Sequence, residues 1–308
     1  MSTSSSLLEL TPRAAALPDG KERDIAAIVA FYTATDGDYG AWSSDFNMHF
    51  GFHEWGMNPL DREAMLERMN TKVVERLALP ARDPARVADL GCGTGATARA
   101  LVRLHPGSRV SAVTIVPVQI VRGRALNVRS GTDRAIEFVL RDFTDTGLSA
   151  GAYDGVYAVE SSCHESGPGK RRLVEEAARL LKPGGRLVIA DCFVKSAHPL
   201  RRFIRAAYRR WCSSWAVPEL PHVEVMREAM TRAGFTAIEF TDISWNVAPS
   251  VAHVPYVATR FMISELVQNR GRLSAWRRRH IVASWLSILL GLYRASFGYY
   301  LVSARKAG

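Results

Sequence analysis

The 308-residue sequence predicts an α/β fold in which a mainly parallel sheet is flanked by helices. Three observations support this prediction. The composition, 47% hydrophobic and 23% charged, is that of a globular chain with a large core. From about Pro84 onward, short β-branched segments alternate with longer amphipathic ones. A glycine-rich turn stands between the first of these strands and the next helix, as in folds that bind nucleotides.

The central part of the chain predicts five strands and three connecting helices. The five β-branched segments are Val87–Leu90, Arg109–Thr114, Ile136–Leu140, Gly155–Val159 and Arg186–Asp191. The three amphipathic segments are Gly95–Leu104, Pro117–Asn127 and Lys170–Leu181. Lys182-Pro183-Gly184-Gly185 follows the last helix and predicts its end, because proline and glycine do not continue a helix.

Further elements are predicted on both sides of this region. Residues 1–80 predict an N-terminal helical lid with helices near Asp24–Thr33 and Asp61–Leu79 and an aromatic loop between them. Residues 81–308 predict a second domain with helical insertions at 192–222 and 250–292. The insertions include a basic amphipathic helix at Pro199–Trp211 and much of a helical region at Val257–Leu292. Phe235–Ile243 and Tyr299–Ala304 predict two late strands.

The net charge of +10 is unevenly distributed. Residues 1–154 carry a net charge of −2 and residues 155–308 carry +12, and arginine outnumbers lysine 34 to 6. Three interpretations stay open: a solvated face, recognition of a substrate phosphate or diphosphate, or contact with a membrane surface. The arginines that would make the membrane contact are Arg201, Arg202, Arg205, Arg209 and Arg210, or Arg277, Arg278 and Arg279.

Cysteine usage and hydropathy indicate a cytoplasmic protein, with the membrane periphery as a second location. Four scattered cysteines are too few for a disulfide framework or a metal cage, and no metal site is expected. Met1 to Leu10 lacks the basic start and long apolar run of a signal peptide. The apolar stretch Ile281–Tyr293 is shorter than the roughly 20 residues that a membrane-spanning helix needs.

The segment from Val87 to Gly95, VADLGCGTG, is the most informative motif. Its alternate glycines allow bare backbone to approach a nucleotide-like group. Gly91, Gly93 and Ala96 also satisfy the dinucleotide pattern G-x-G-x-x-A. Asp89 argues against a dinucleotide, because a carboxylate two residues before the first glycine suits a cationic amino group better than a pyrophosphate.

These motifs resemble those of the class I S-adenosylmethionine-dependent methyltransferases, which have a Rossmann-like seven-stranded sheet. The resemblance implies that Asp89, Gly91, Gly93 and Gly95 hold the methionine part and ribose of S-adenosylmethionine. It implies that Asp142, after the third strand, accepts from the adenine amino group, and that Phe143 contacts the ring. The Lys-Pro-Gly-Gly turn and the two late strands match the family's fifth strand and its reversed C-terminal hairpin.

Two further segments resemble the subgroup of tocopherol methyltransferases, sterol C-methyltransferases and cyclopropane fatty acid synthases. Thr114 and Gln119 stand where most members of the wider family carry an acid, and the resemblance implies that both contact the cofactor. Glu160 and His164 follow the fourth strand in a segment similar to that of the sterol enzymes. The carboxyl ends of parallel strands line the binding crevice, so the sequence predicts Glu160 and His164 as catalytic residues.

The N-terminal aromatic segment resembles the entrance of tocopherol and related methyltransferases. Its members Tyr32, Trp42, His49, Phe50 and Phe52 are predicted to contact the substrate. So many aromatic side chains in a glycine-bearing loop must cover something, because a large exposed apolar patch is costly. An aromatic mini-core beneath a lid remains an alternative to direct contact.

The sequence therefore predicts an enzyme that transfers a methyl group to a carbon of a lipophilic, isoprenoid-like small molecule. Alkene attack creates a carbocation, which aromatic faces stabilise, and His164 or Glu160 would take the proton that is lost. The alternatives are O- or N-methylation of a specialised metabolite, RNA methylation, and non-catalytic lipid binding. Nucleic acid is not expected as a partner, because no appended RNA-binding module is recognisable. An oligomer is compatible with the sequence.

Overall fold

The computed structural model describes residues 23–80, 83–195, 200–268, 272 and 275–308, so Met1 to Leu10 and the first predicted residue of the basic helix, Pro199, lie outside the described residues. Within these ranges, seven strands form one sheet. They are β1 (Arg86–Leu90), β2 (Arg109–Thr114), β3 (Ile136–Leu140), β4 (Tyr153–Val159), β5 (Leu181–Val194), β6 (Phe235–Asp242) and β7 (Phe297–Lys306). Their order is β3-β2-β1-β4-β5-β7-β6.

All strands are parallel to their neighbours except β7, which runs antiparallel to both β5 and β6. The predicted α/β fold, with a seven-stranded sheet flanked by helices and a reversed hairpin at its end, is confirmed. Because chain order reverses between the adjacent strands β1 and β4, the loops at their carboxyl ends diverge and leave a crevice, which is the usual ligand position in such sheets.

Eleven α-helices lie in the described ranges. They are α1 (Ile25–Thr35), α2 (Tyr39–Trp42), α3 (Arg62–Leu77), α4 (Ala96–Leu104), α5 (Pro117–Ser130), α6 (Arg171–Leu180), α7 (Arg202–Ser214), α8 (Val223–Arg232), α9 (Ser244–Ala252), α10 (Val254–Gln268) and α11 (Ala275–Leu292). A short 3-10 turn, Ser162–His164, follows β4. Helix α2 interrupts the segment predicted as an aromatic loop, and α8 has no counterpart among the predicted elements.

The N-terminal segment packs on the sheet through α3. Asp61 caps this helix by accepting a hydrogen bond of 3.0 Å from the backbone N–H of Ala64. Its apolar side chains recur at helical spacing and are buried: Met65, Leu66, Met69, Val73, Val74 and Leu77. Several of them share one hydrophobic cluster with side chains of β1, β2 and β5, so this segment is joined to the sheet by an apolar core.

The opposite side of the sheet is covered by α6 and α8. Leu173, Val174 and Ala177 of α6 share a second hydrophobic cluster with Met226 and Met230 of α8. The sheet therefore lies between two helical layers, and its central strands β1, β4 and β5 are mostly buried, whereas the edge strand β6 is largely exposed.

The structure also differs from the sequence predictions at the turn after α6 and in the C-terminal helical region. Helix α6 ends at Leu180, one residue before the predicted end, and Lys182-Pro183-Gly184-Gly185 lies inside β5 instead of preceding it. The register shift between Tyr153 and Gly155 on β4 accommodates these turn residues. The helical region Val257–Leu292 begins earlier than predicted and is divided, because α10 ends at Gln268 and α11 begins at Ala275.

Helices α7, α10 and α11 form a layer beyond the carboxyl edge of the sheet. The indole N–H of Trp211 on α7 donates a 2.8 Å hydrogen bond to the Ser287 hydroxyl on α11. Phe203 meets Tyr293 edge-to-face, with 6.5 Å between ring centroids. None of the described helices has both the length and the apolar character required to cross a bilayer.

Candidate functional site

Two adjoining cavities open at the carboxyl edge of the sheet. The smaller one is lined by the loops after β1, β2 and β4 and by residues of the N-terminal segment. The larger one is lined by the N-terminal segment and by side chains of α7, α10 and α11. Five residues belong to both walls: Tyr32, Met48, His49, Glu160 and His164. These five side chains therefore surround the junction between the two cavities.

The loop after β1 forms the floor of the smaller cavity. Asp89 is 2% exposed, and Oδ2 accepts a 2.8 Å hydrogen bond from the Tyr157 hydroxyl. Burial raises the pKa of Asp89 to about 7, against the lowering effect of that hydrogen bond. Gly91 has φ +91°, and a Cβ there would lie 2.3 Å from Cβ of Ser161, so only glycine lets the β1 and β4 loops approach this closely.

Thr114 and Gln119 lie together in the wall of the smaller cavity, as the sequence predicts. The Thr114 hydroxyl donates a 2.7 Å hydrogen bond to Oε1 of Gln119. The Gln119 amide nitrogen lies 3.6 Å from Sδ of Met48 in the entrance segment. Because a thioether is a weak acceptor, most of the donor capacity of this amide remains available to a ligand.

The far end of the smaller cavity differs from the prediction. Phe143 lines this end of the cavity, whereas Asp142 does not. Arg23 lines the cavity where Asp142 was expected, and it donates a 2.9 Å hydrogen bond to Oδ1 of Asp142. The Arg23 guanidinium carbon lies 4.2 Å from the centroid of the Phe143 ring. Two of its nitrogens, Nε and Nη2, are buried without a hydrogen-bond partner in the described part of the chain.

Gly93 and Gly95 have different surroundings although both belong to the same motif. Gly93 lines the cavity, and a Cβ there would lie 2.8 Å from Sδ of Met48. Gly95 does not line the cavity. It occupies the N-cap of α4 with φ +79°, a conformation that favours glycine. Glycine is therefore needed at this position for the turn that begins the helix.

The larger cavity encloses about 1360 Å³ of empty space, part of it open to solvent. Its wall is mainly aromatic and aliphatic: Tyr32, Tyr39, Trp42, Phe50, Trp211, Trp215, Val254, Val257, Phe261 and Ile281 are members. Four carboxylates also line it: Glu160 and Asp191 follow or belong to strands of the sheet, Asp38 lies in the N-terminal segment and Glu265 lies on α10. A cavity of this kind suits an apolar small molecule with one reactive polar end.

Glu160 lies at the junction of the two cavities. Its Oε1 accepts hydrogen bonds from the Phe50 backbone N–H at 2.6 Å and from the Tyr299 hydroxyl at 2.8 Å. Burial raises the pKa of Glu160 to about 8 despite these donors, so the side chain of the ligand-free protein is mostly protonated at pH 7. Its backbone has φ +46°, a strained conformation for a residue with a Cβ.

His164 shares the junction with Tyr32. Its Nε2 lies 2.8 Å from the Tyr32 hydroxyl, and its Nδ1 lies 3.2 Å from the carbonyl oxygen of Ala216. Burial lowers the pKa of His164 to about 4, so the ring is neutral at pH 7. The structure therefore brings together the two side chains that the sequence predicts as catalytic, Glu160 and His164, along one wall.

The predicted substrate residues do not all reach the larger cavity. Tyr32, Trp42, His49 and Phe50 line it. Both ring nitrogens of His49 contact the protein, Nδ1 at 3.0 Å from the Phe50 carbonyl and Nε2 at 2.9 Å from Oδ1 of Asn70. His49 therefore presents its carbon edge to the cavity.

Phe52 is not in either cavity wall. Its ring belongs to the hydrophobic cluster beneath α3, and its backbone N–H donates a 2.8 Å hydrogen bond to the Met65 carbonyl. This bond fixes the chain direction, so the side chain of Phe52 is buried in the core while Phe50 faces the cavity.

Three residues of the site are not recognisable as such in the sequence. Arg23 precedes α1 and stands in no motif. Tyr299 is indicated only as the start of a late strand. Asp191 is indicated only as the end of the fifth strand, and its Oδ2 accepts from the Ser162 hydroxyl at 2.6 Å and from the Cys163 N–H at 3.0 Å. Its place at the carboxyl end of a parallel strand is the one signal that could have identified Asp191.

Comparisons with known proteins agree with this geometry. Residues 87–185 match the family model described as a methyltransferase domain. The O-methyltransferase resE of Aspergillus sclerotiorum is 30% identical over 202 residues, which are 66% of this chain and 73% of the relative. The 24-methylenesterol C-methyltransferase 2 of Oryza sativa subsp. japonica is 34% identical over 148 residues, 46% of this chain and 40% of the relative.

Solved structures share the fold at lower identity. The cyclopropane synthase MmaA2 of Mycobacterium tuberculosis superimposes with a TM-score of 0.77 at 14% identity, covering 92% of this chain and 98% of that protein. A similarity at this level of identity speaks for the fold alone.

Proposed function

This chain belongs to the class I S-adenosylmethionine-dependent methyltransferases, and we propose on that premise that it methylates a carbon atom of a lipophilic, isoprenoid-like small molecule. The observation that carries the proposal is the junction of the two cavities. Tyr32, Glu160 and His164 lie in both cavity walls, so a donor in the smaller cavity and an acceptor in the larger one meet at these side chains. Orientation of two reactants in this way supplies much of the acceleration of a displacement.

The residues of the smaller cavity suit S-adenosylmethionine, which when bound supplies an electrophilic methyl group on a cationic sulfonium. Asp89 would accept from its amino group. Gly91 and Gly93 would leave room for the ribose and methionine part, with Thr114 and Gln119 beside them. Phe143 and Arg23 would lie along the adenine. The Arg23 donors without partners suit the acceptor nitrogens of a purine.

Glu160 would change its charge when the donor binds. A cationic group beside a buried carboxyl favours the carboxylate, so the pKa of Glu160 falls from about 8 in the ligand-free protein. The Phe50 N–H and the Tyr299 hydroxyl hold Oε1 in place as this happens. The resulting carboxylate would stabilise positive charge that develops on the acceptor during transfer.

The low basicity of His164 supports carbon as the acceptor atom. Its pKa of about 4 matches poorly the removal of a proton from a phenol, whose pKa is about 10. A carbocation formed by alkene methylation loses a proton far more easily, and a weak neutral base is sufficient. Aromatic faces of Tyr32, Trp42 and Phe50 would each stabilise such a cation by about 0.5–2 kcal/mol.

Methyl transfer to a hydroxyl oxygen is a second candidate. It is favoured by the hydrogen bond between Tyr32 and His164, which offers a path for a hydroxyl proton from the cavity to the imidazole. The name of the resE relative, an O-methyltransferase, points in the same direction. A lipophilic acceptor is common to both candidates.

The two candidates are separated by the position of the transferred methyl group. The protein is incubated with S-adenosylmethionine labelled with ¹³C in the methyl group and with pairs of isoprenoid alcohols. Each pair shares a hydroxyl head, and one member has an internal double bond while the other is saturated. We expect a ¹³C signal in the C-methyl region of the spectrum with the unsaturated member only.

A label that appears as a methoxy carbon with both members of a pair would contradict carbon methylation and establish the oxygen candidate. The Asp89→Asn variant is the control for donor dependence, because it keeps the size of the side chain and removes its charge. Product formation that persists unchanged in Asp89→Asn would indicate a reaction outside this site.

A further inference from the structure

The outward side of helix α7 is unusually basic. Arg201 at its N-cap and Arg202, Arg205, Arg209 and Arg210 along it are all exposed. Residues 192–218 contain no aspartate or glutamate, so no carboxylate of this segment offsets the five charges. Across the part of the chain that the structure describes, none of the five forms an ion pair.

Two other exposed arginines of this half are paired with neighbouring carboxylates. Arg171 contacts Glu175 at 2.7 Å, and Arg232 contacts Glu228 at 2.5 Å. The arginines on α7 differ from these two, because they are concentrated on one helix and none of them has an ion pair among the described residues. An exposed arginine without an ion pair is well suited to bind phosphate, because its planar guanidinium can donate two parallel hydrogen bonds to the phosphate oxygens.

An apolar stripe lies on the neighbouring helix α11. Trp285, Leu289 and Leu292 are 54%, 39% and 75% exposed, and their spacing of four and three residues places them on one side of the helix. Phe203 of α7 is 59% exposed and contacts Tyr293, the residue after Leu292. The exposed apolar side chains of α11 therefore lie next to the basic helix α7 where the two helices pack together.

The inner sides of the same helices line the larger cavity. Trp211 of α7 and Ile281 and Ser284 of α11 are members of its wall. The surface formed by Arg201, Arg202, Phe203, Arg205, Arg209, Arg210, Trp285, Leu289 and Leu292, here called the docking face, is therefore one helix thickness from the site where the acceptor binds.

We propose that the docking face binds the surface of an anionic lipid bilayer, so that the lipophilic acceptor passes from the bilayer into the larger cavity. The arginines contact lipid phosphates, and Phe203, Trp285, Leu289 and Leu292 enter the interfacial layer. The entry of the acceptor rests on the proposed function, whereas the binding of the bilayer does not. A second copy of the chain is disfavoured as the occupant, because a symmetric contact would bring five unpaired arginines against five.

The proposal is tested by sedimentation with vesicles of phosphatidylcholine alone and of phosphatidylcholine with phosphatidylserine. We expect the protein to sediment with the anionic vesicles at low ionic strength and to be released as sodium chloride increases, because salt screens the attraction. Each arginine near an anionic surface contributes about five-fold to the affinity, so Arg202→Gln/Arg205→Gln/Arg209→Gln should bind about 100-fold more weakly.

A matched control carries the same charge change at the opposite edge of the sheet. Arg124, Arg129 and Arg134 are exposed, and Arg124 and Arg134 lie beside the first residues of β1 and β2. Arg124→Gln/Arg129→Gln/Arg134→Gln should bind anionic vesicles as the wild type does. Trp285→Ser/Leu292→Ser should weaken binding while leaving its dependence on salt unchanged, and near-ultraviolet circular dichroism verifies that each variant is folded.

Three results of the binding and light-scattering measurements would overturn the proposal. One is the absence of binding to anionic vesicles at low salt. Another is equal loss of binding in the α7 variant and its control. The third is a dimer by light scattering that the α7 variant converts to a monomer, because the face would then belong to a second copy. Vesicle binding without methylation of any isoprenoid would contradict the proposed function and leave the docking face established.

Methylation of an acceptor dispersed in detergent provides a separate readout. The α7 variant should retain this activity, because its substituted arginines lie outside both cavities, and should lose activity only with acceptor embedded in anionic vesicles. An equal loss in both assays would assign these arginines to folding or catalysis and would contradict membrane docking.

Discussion

The Tyr32 hydroxyl donates to Nε2 of His164 across 2.8 Å, although 132 positions separate the two residues in the sequence. The carbonyl oxygen of Ala216 can only accept, so Nδ1 of the same ring carries the proton and Nε2 accepts from the Tyr32 hydroxyl. One tautomer of a neutral imidazole is thereby fixed at the junction of the two cavities.

Removal of the Tyr32 hydroxyl should slow methyl transfer without loosening the donor site. We expect Tyr32→Phe to lower kcat by about 10- to 100-fold, because the imidazole loses the partner that orients it. The KM for S-adenosylmethionine should change little. Tyr256→Phe, on the exposed side of α10, is the control. Equal kcat values for Tyr32→Phe and wild type would remove Tyr32 from the mechanism.

Donor binding should depend on pH through Asp89. Burial raises the pKa of this carboxyl to about 7 in the ligand-free protein. Below that pH the group is mostly neutral and attracts an ammonium weakly. Affinity for S-adenosylhomocysteine, measured by calorimetry, should therefore fall as the pH is lowered from about 8 to about 6. Asp89→Asn should bind more weakly at pH 8 and show a flatter profile. An unchanged pH profile in Asp89→Asn would assign the titration to another group.

Arg23 should contribute to donor affinity from outside the glycine-rich motif. Its Nη1 pairs with Asp142, while Nε and Nη2 lack partners in the described chain. We expect Arg23→Ala to weaken S-adenosylhomocysteine binding by about 10- to 100-fold, since a charged hydrogen bond is worth about 1.5–3 kcal/mol. Arg103→Ala, which removes an exposed ion pair, serves as the control. Stronger binding in Arg23→Ala would instead identify Arg23 as a competitor for the adenine site.

Glu160 should reduce the stability of the ligand-free protein at alkaline pH. Its pKa is about 8 in the folded state, whereas that of an exposed glutamate in the unfolded chain is 4.5. The folded state therefore binds more protons between these values, and the free energy of unfolding falls as the pH rises from 4.5 to 8. Glu160→Gln retains an acceptor for Phe50 and Tyr299 and avoids the charge.

We accordingly expect Glu160→Gln to raise the free energy of unfolding at pH 8 by on the order of 1–3 kcal/mol, and by less at pH 5. Denaturant titrations at the two pH values measure the difference. An equal effect at both values would show that the substitution acts through packing and that charge is not involved.

Substitution of Phe52 by alanine should affect stability, whereas substitution of Phe50 should affect binding of the acceptor. Phe52→Ala opens a cavity under α3 and should lower the free energy of unfolding by about 3–5 kcal/mol. Phe50→Ala should mainly raise the KM for the acceptor, because Phe50 is only half buried and faces the larger cavity. If Phe52→Ala instead left stability unchanged and raised this KM, its assignment to the core would be wrong.

Strands of the sheet could be predicted where their own residues form a recognisable β-branched segment. The β-branched segments predict the ends of β2 and β3 correctly, because most residues of each strand are apolar and buried or partly buried. Strand β5 extends three residues past the predicted end at Asp191. Those residues, Cys192 to Val194, pair with Tyr299 to Phe297 on β7, and such a long-range contact has no local pattern.

The site was predictable where strand ends meet. Glu160 and His164 could be placed because carboxyl ends of parallel strands share one edge. Arg23 reaches the same place from a segment that carries no motif, and its contact with Asp142 spans 119 positions. The aromatic loop predicted that its rings pack against other parts of the protein. The direction in which each ring points could not be predicted, because it depends on backbone hydrogen bonds such as that from the Phe52 N–H to the Met65 carbonyl.

The division of the two cavity walls has a consequence for engineering this catalyst. Loops of the sheet supply most of the wall of the smaller cavity, whereas α7, α10 and α11 supply much of the wall of the larger one. Substitutions at Trp211, Val257, Phe261 or Ile281 change the shape offered to an acceptor while leaving Asp89 and its neighbours as they are. If the two cavities bind the donor and the acceptor as proposed, libraries confined to the inner sides of those three helices alter the choice of acceptor and leave the binding of the methyl donor unchanged.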